Sequence, residues 1–129
     1  MGRRNFLYAL LLAWTFAVGF IDRAGLLSGG LSSMFDIAHL AILVVLTWLW
    51  CNADADAGGH KRVAGLIGWA MVLLTPVGLG IYLFRSRTPG LATLLLIGYF
   101  AGFAAAYLAG WYAAALLAFP SVGVGSAAT

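Results

Sequence analysis

The chain has 129 residues, of which 64% are hydrophobic and only 9% charged, with a net charge of +3 at neutral pH. A soluble protein of this size needs a mostly wetted surface and enough charge to stay in solution, so this balance excludes a soluble globular domain. The few cations are scattered between apolar runs, which suits a chain beside anionic headgroups and excludes a nucleic-acid binder.

Four runs free of Asp, Glu, Lys and Arg take up most of the sequence, at residues 5–21, 37–51, 63–84 and 90–119. A helix crosses a hydrocarbon core of about 30 Å with roughly 20 apolar residues, and about 17 at the short end. The first, third and fourth runs qualify directly. The second reaches spanning length, as a helix over about 35–53, once its weakly polar lead-in and Asn52 and Ala53 are included. Segments such as LAILVVLTWLW are apolar at every step, whereas barrel strands alternate in polarity, so the runs read as helices. The expected fold is an all-α integral membrane bundle of four transmembrane helices in one domain, residues 1–119. The uncharged tail over 120–129, PSVGVGSAAT, is expected to be flexible.

The first run begins after Arg3 and Arg4, followed by Phe6 and Leu7, and so imitates a twin-arginine signal. No small-x-small cleavage site ends it, and further spans follow, so it is expected to stay as an uncleaved first helix. With four crossings both termini share a side. One face then carries Arg3, Arg4, Lys61 and Arg62 and the other Arg23, Arg85 and Arg87, a weak bias that favours both termini in the cytoplasm.

The second run opens with Asp36 and His39. At that spacing they share a helix face, and Asp36 stands where a helix N-cap is expected. An ionisable pair inside a membrane is either a self-satisfied cap or a proton-linked or ligand-binding site. The other histidine, His60, lies beyond the far end of the same helix, about 30 Å away at about 1.5 Å per residue, so one chain cannot hold a haem between both. Trp48, Trp50 and Tyr82 stand near helix ends as interfacial anchors, and Cys51, the single cysteine, reads as a packing residue.

Between the second and third runs comes Asn52-Ala-Asp54-Ala-Asp56-Ala-Gly-Gly-His60-Lys61-Arg62. Asp54, Asp56 and His60 are metal-ligand types, but the spacing matches no metal loop and Lys61 and Arg62 are ready counterions. The segment reads as a solvated turn with Gly58 and Gly59 giving it freedom and with no metal required. In the third run Pro76 removes a backbone donor and crowds the carbonyl four residues back, so a kink is expected near Val72, with Pro76 and Gly78 at its centre and Thr75 or water satisfying the released carbonyl.

The fourth run carries Gly98, Gly102, Ala106, Gly110, Ala114 and Ala118 at every fourth position. Such a row allows close helix approach in lipid, either inside the bundle or against a partner. Phe100, Phe103, Tyr107 and Trp111 form a narrow aromatic stripe on the same helix, suited to lipid or core.

From His39 to Arg87 the order is a histidine entering a helix, Trp50 at its far end, Asp54-Ala55, a glycine-containing polar loop, and a helix ending Pro76-x-Gly78-x-x-x-Tyr82-Leu-x-Arg85. This stretch resembles small four-helix membrane proteins of the neoxanthin-synthesis (abscisic-acid-deficient) type, and uncharacterised bacterial membrane families with a P-x-G-x-x-x-Y-L ending. It departs from them in LAILVVLT, which has no acidic residue in mid-helix. The resemblance implies four helices and carotenoid or isoprenoid handling.

The residues themselves point to a different leading expectation. The chain has no Glu or Gln, no Ser-His-Asp set and no phosphate loop. It reads as a non-catalytic, multi-pass inner-membrane protein, an accessory or scaffold subunit packing through the small-residue face of the fourth helix onto a second copy or a membrane-protein partner. No cofactor is required, although a carotenoid or lipid would be compatible. The alternative is a carotenoid- or isoprenoid-handling membrane enzyme or pigment-binding protein, and a small transporter comes third.

Overall fold

The computed structural model describes residues 2–26, 30–63 and 65–117, so the expected tail and Ala118 lie outside the described residues. The described chain is all-helical: α1 (Arg3–Ala24), α2 (Gly30–Gly58), α3 (Leu66–Leu73), α4 (Thr75–Ser86) and α5 (Pro89–Leu116). Three of these, α1, α2 from Ser32, and α5, are long and apolar enough to cross a membrane. At most 28% of the most apolar stretch of any of them is buried inside the bundle. Their remaining faces present side chains such as Phe6, Leu40, Val45, Ile97 and Leu108 outward, as lipid contact requires.

The expectation of four spanning helices is not met among the described residues, and the difference lies in the third run. Residues 63–84 do not form one kinked helix; the chain breaks at Leu74, whose φ of −143° and ψ of 83° are not helical, and Pro76 sits in the first turn of a new helix. Proline is at home there, where its missing N–H is not needed. The break thus falls two residues before Pro76 rather than at Val72, and Thr75 donates its hydroxyl to the Met71 carbonyl at 3.0 Å. The two halves fold back on each other. A Cβ built on Gly78 would stand 2.6 Å from the Met71 nitrogen and Cα, whereas seven residues of continuous helix would separate them by about 10 Å. With 8 and 12 residues, α3 and α4 reach about 12 Å and about 18 Å, too short to cross alone. They form a hairpin that enters and leaves at the same end of the bundle.

The second helix is longer than expected at both ends. The Asn-Ala-Asp-Ala-Asp-Ala stretch continues it, because alternate alanines favour helix and Asp54 finds partners inside the bundle. Gly59, at φ 67°, closes the helix, and the His60 N–H reaches back 2.9 Å to the Ala55 carbonyl. Only a residue tolerant of the left-handed region makes that cap cheaply. The expected solvated turn therefore shrinks to the few residues after Gly59.

Helices α1 and α5 pack closely and run parallel: Tyr8 meets Gly98 and Tyr99, Gly19 faces the Tyr107 backbone, and Gly110 faces the Phe16 and Phe20 backbone. A side chain at Gly19 or Gly110 would collide with main-chain atoms of the other helix. The small row of α5 is therefore used against α1, with Gly102 over Tyr8, Ala114 fully buried and Ala106 half-buried. Of the two uses expected of this row, packing inside the bundle or against a partner, Gly102 and Gly110 serve the first. Among the described glycines of the row, Gly98 looks onto open space. Because α1 and α5 are parallel, Arg3 and Leu116 lie at opposite ends of the bundle, whereas the expected shared side of the two termini rested on a count of four spans.

Gly78→Ala should destabilise the chain by about 1–3 kcal/mol, because the new methyl meets backbone that cannot rotate away. Gly80→Ala in the same helix has open space and should be neutral or slightly stabilising. Thermal melts of the two variants in detergent check the pair, and equal melting temperatures would contradict the close hairpin.

Candidate functional site

With the hairpin folded back, donors from α1, α4 and the connection between α4 and α5 meet one carboxylate on α2. Asp54, near the end of α2, is 2% exposed. Arg87, between α4 and α5, donates from Nη2 to its Oδ2 at 2.6 Å, and the Tyr82 hydroxyl of α4 donates to the same oxygen at 2.8 Å. Arg4, at the start of α1, donates from Nη1 to Oδ1 at 3.2 Å. The Arg87 side chain is 13% exposed and that of Arg4 45%. Burial works against the Arg87 charge, but the hydrogen bond and charge of Asp54 outweigh it and raise its pKa above the ordinary arginine value.

The site rests on an apolar and aromatic floor. Cys51, one turn before Asp54, is fully buried, as are Leu79 and Leu83 from α4. Deeper in, the hydroxyls of Thr47 and Tyr99 share a hydrogen bond of 2.7 Å. Tyr99 also packs on Trp50, Tyr8 and Phe103, with ring centroids 5.3, 5.5 and 4.7 Å away. Against this floor opens a cavity of about 480 Å³, lined at one end by Arg4, Asn5, Asp54 and Arg87 and at the other by Trp50, Tyr8, Tyr99, Gly98 and leucines of α5. A second cavity of about 570 Å³ lies across the hairpin, between the stretch 59–63 and Tyr82, Arg85 and Ser86.

The sequence-predicted residues are redistributed by this geometry. Asp54 and Asp56 stand two residues apart on one helix and so point to different sides. Asp54 faces inward, while Asp56 is exposed in a two-pronged ion pair with Arg62 at 2.8 and 2.9 Å. The Asp56 charge and hydrogen bonds hold Arg62 above its ordinary pKa. His60 joins neither and lines the second cavity beside Lys61. Among the described residues no three His, Cys, Asp or Glu side chains gather where they could hold a metal ion.

The expected pairing of Asp36 with His39 is replaced. Helix α2 begins at Gly30, so Asp36 lies inside the helix rather than at its cap, and its side chain is exposed. His39 instead accepts the indole N–H of Trp14 at its Nδ1, at 2.8 Å, and stacks on Phe35. An indole only donates, so that ring nitrogen is unprotonated in this arrangement. At the same end Tyr107 donates to Asp22 at 2.9 Å and Arg23 stands over the Trp111 ring. Two members of the expected aromatic stripe thus serve polar partners on α1.

Tyr82 was expected as an interfacial anchor and is instead a buried partner of Asp54. Arg4, Arg87, Thr47 and Tyr99 are site residues that local patterns do not single out. The available signal was an acid at the edge of a lipid-length apolar helix, whose charge requires nearby cations. Compared with known proteins, the chain matches no family model, no curated protein and no solved structure. The resemblance over His39 to Arg87 therefore rests on those residues alone.

Breaking a buried ion pair from one side leaves its partner charged and unpaired. Asp54→Ala should therefore destabilise the chain by about 3–5 kcal/mol, because Arg87 remains buried without its counterion. Asp56→Ala removes only an exposed pair and should leave the melting temperature unchanged. Parallel detergent melts decide this, and equal losses would deny Asp54 its central place.

Proposed function

We propose that this chain is a non-catalytic, three-span inner-membrane protein that serves as an accessory subunit of a membrane assembly. The observation that carries the reading is the engagement of its deep polar groups with one another. Asp54 holds α1, α2, α4 and the connection from α4 to α5 together, and the Nδ1 lone pair of His39 is occupied by Trp14. A carboxylate clamped by two guanidiniums and a phenol is a poor general base, since its charge is already stabilised by three donors. Such a cluster fixes shape, which is what an accessory subunit contributes. Purified from native membranes in mild detergent, the chain should run with a stoichiometric membrane-protein partner and show no visible absorption band. A monomer carrying a visible chromophore would replace this reading with isoprenoid or pigment handling.

The three-span arrangement also supports an orientation. Arg3, Arg4, Lys61, Arg62, Arg85 and Arg87 gather at the Asp54 end of the bundle, leaving Arg23 alone at the other. Cytoplasmic ends carry the Lys and Arg excess, so the start of α1 faces the cytoplasm and the end of α5 faces the opposite side. In intact spheroplasts a membrane-impermeant maleimide should label Ser33→Cys, at the start of α2, and spare Ala57→Cys, at its end. The reverse pattern would invert the assignment.

A further inference from the structure

The cavity beside Asp54 combines two surfaces that ordinarily exclude each other. Its mouth holds Arg4, Arg87 and Asp54, two cations against one anion, so the cluster keeps one net positive charge. Each guanidinium carries five N–H donors, and Asp54 uses only part of that set. From this mouth the wall descends α5 through Leu91 and Leu94 to Gly98, about 10 Å along the helix. Leu91 and Leu94 remain exposed, so the wall opens sideways toward lipid. At its foot Gly98 leaves open space where any other residue would project a side chain.

We propose that this cavity is a binding site for one anionic phospholipid, with the phosphodiester at Arg4 and Arg87 and an acyl chain along Leu91, Leu94 and Gly98. Charge complementarity selects the occupant. A phosphodiester headgroup with no cationic substituent carries one negative charge and neutralises the cluster, and a phosphate oxygen suits the guanidinium fork. A zwitterionic lipid brings its own ammonium to a mouth already short of anions. The apolar wall needs a chain rather than a free ion, because a small anion would leave it unfilled. A basic pocket between helices at the cation-rich end is where such headgroups are held.

The test uses the full chain, purified in non-ionic detergent and freed of native lipid, then titrated with phosphatidylglycerol or phosphatidylethanolamine of matched chains and read by native mass spectrometry. One phosphatidylglycerol should bind in clear preference to phosphatidylethanolamine. Arg4→Gln should weaken it about tenfold, the loss of one charge-assisted contact, because Arg4 is half exposed and Arg87 still pairs Asp54. Gly98→Leu, at a position where an added Cβ has no atom within 4 Å, should leave the melting temperature intact and block the acyl chain. Equal retention of both lipids, binding unchanged in Gly98→Leu, or displacement by inorganic phosphate at the lipid's concentration would each overturn the proposal.

Discussion

Asp54 is the constraint to which the rest of the structure answers. A carboxylate in the last turns of a spanning helix cannot stay ionised away from water without nearby positive charge and hydrogen-bond donors. It obtains them from residues far from it in sequence, Arg4 on one side and Tyr82 and Arg87 on the other. For Tyr82 and Arg87 to reach it, the chain after α2 has to come back to the end it left. The hairpin of α3 and α4 does this. Desolvating an ion pair costs several kcal/mol per charge before the attraction is counted, so the cluster is better read as a specifier of geometry than as a large net source of stability.

Away from that end the bundle is held differently. Lipid tails are as apolar as leucine, so two helices gain nothing by hiding apolar surface from each other and associate through close dispersion contact. Gly19 and Gly110 permit it by letting the main chains of α1 and α5 come within reach of each other, and Gly102 makes room for the Tyr8 ring. At the cation-poor end the polar groups are few and mixed with rings: Trp14 with His39, Tyr107 with Asp22, Arg23 over Trp111. One end of the molecule is thus ionic and the other aromatic, with glycine contact between them.

The hairpin also alters the charge topology. Counted over four crossings, the cations divide almost evenly between the two faces and give little direction. When the third run turns back, Arg85 and Arg87 join Arg3, Arg4, Lys61 and Arg62 at one end. The same turn that satisfies Asp54 therefore gathers the basic residues that the proposed orientation and the proposed lipid site both use.

The sequence by itself determined that the described chain is helical and apolar enough for a membrane, since uninterrupted runs without charge have few other solutions. It also marked Pro76 and Gly78 as a disturbance and the α5 glycines as a close-packing row, because those residues act through local sterics. Other features depended on neighbours remote in sequence. Hydropathy over 63–84 is the same whether the segment crosses or doubles back, and contacts remote in sequence, Gly78 on Met71 and Tyr82 on Asp54, distinguish the two. Asp54 and Asp56 look alike in a polar stretch, but helix phase turns one toward Arg87 and the other toward Arg62. Asp36 and His39 have the right spacing to pair, yet Trp14 from another helix offers the histidine a donor that the carboxylate cannot. Tertiary structure decided these cases because a buried charge or a lone pair takes whichever partner the packing brings within hydrogen-bond distance, and local spacing does not encode that distance.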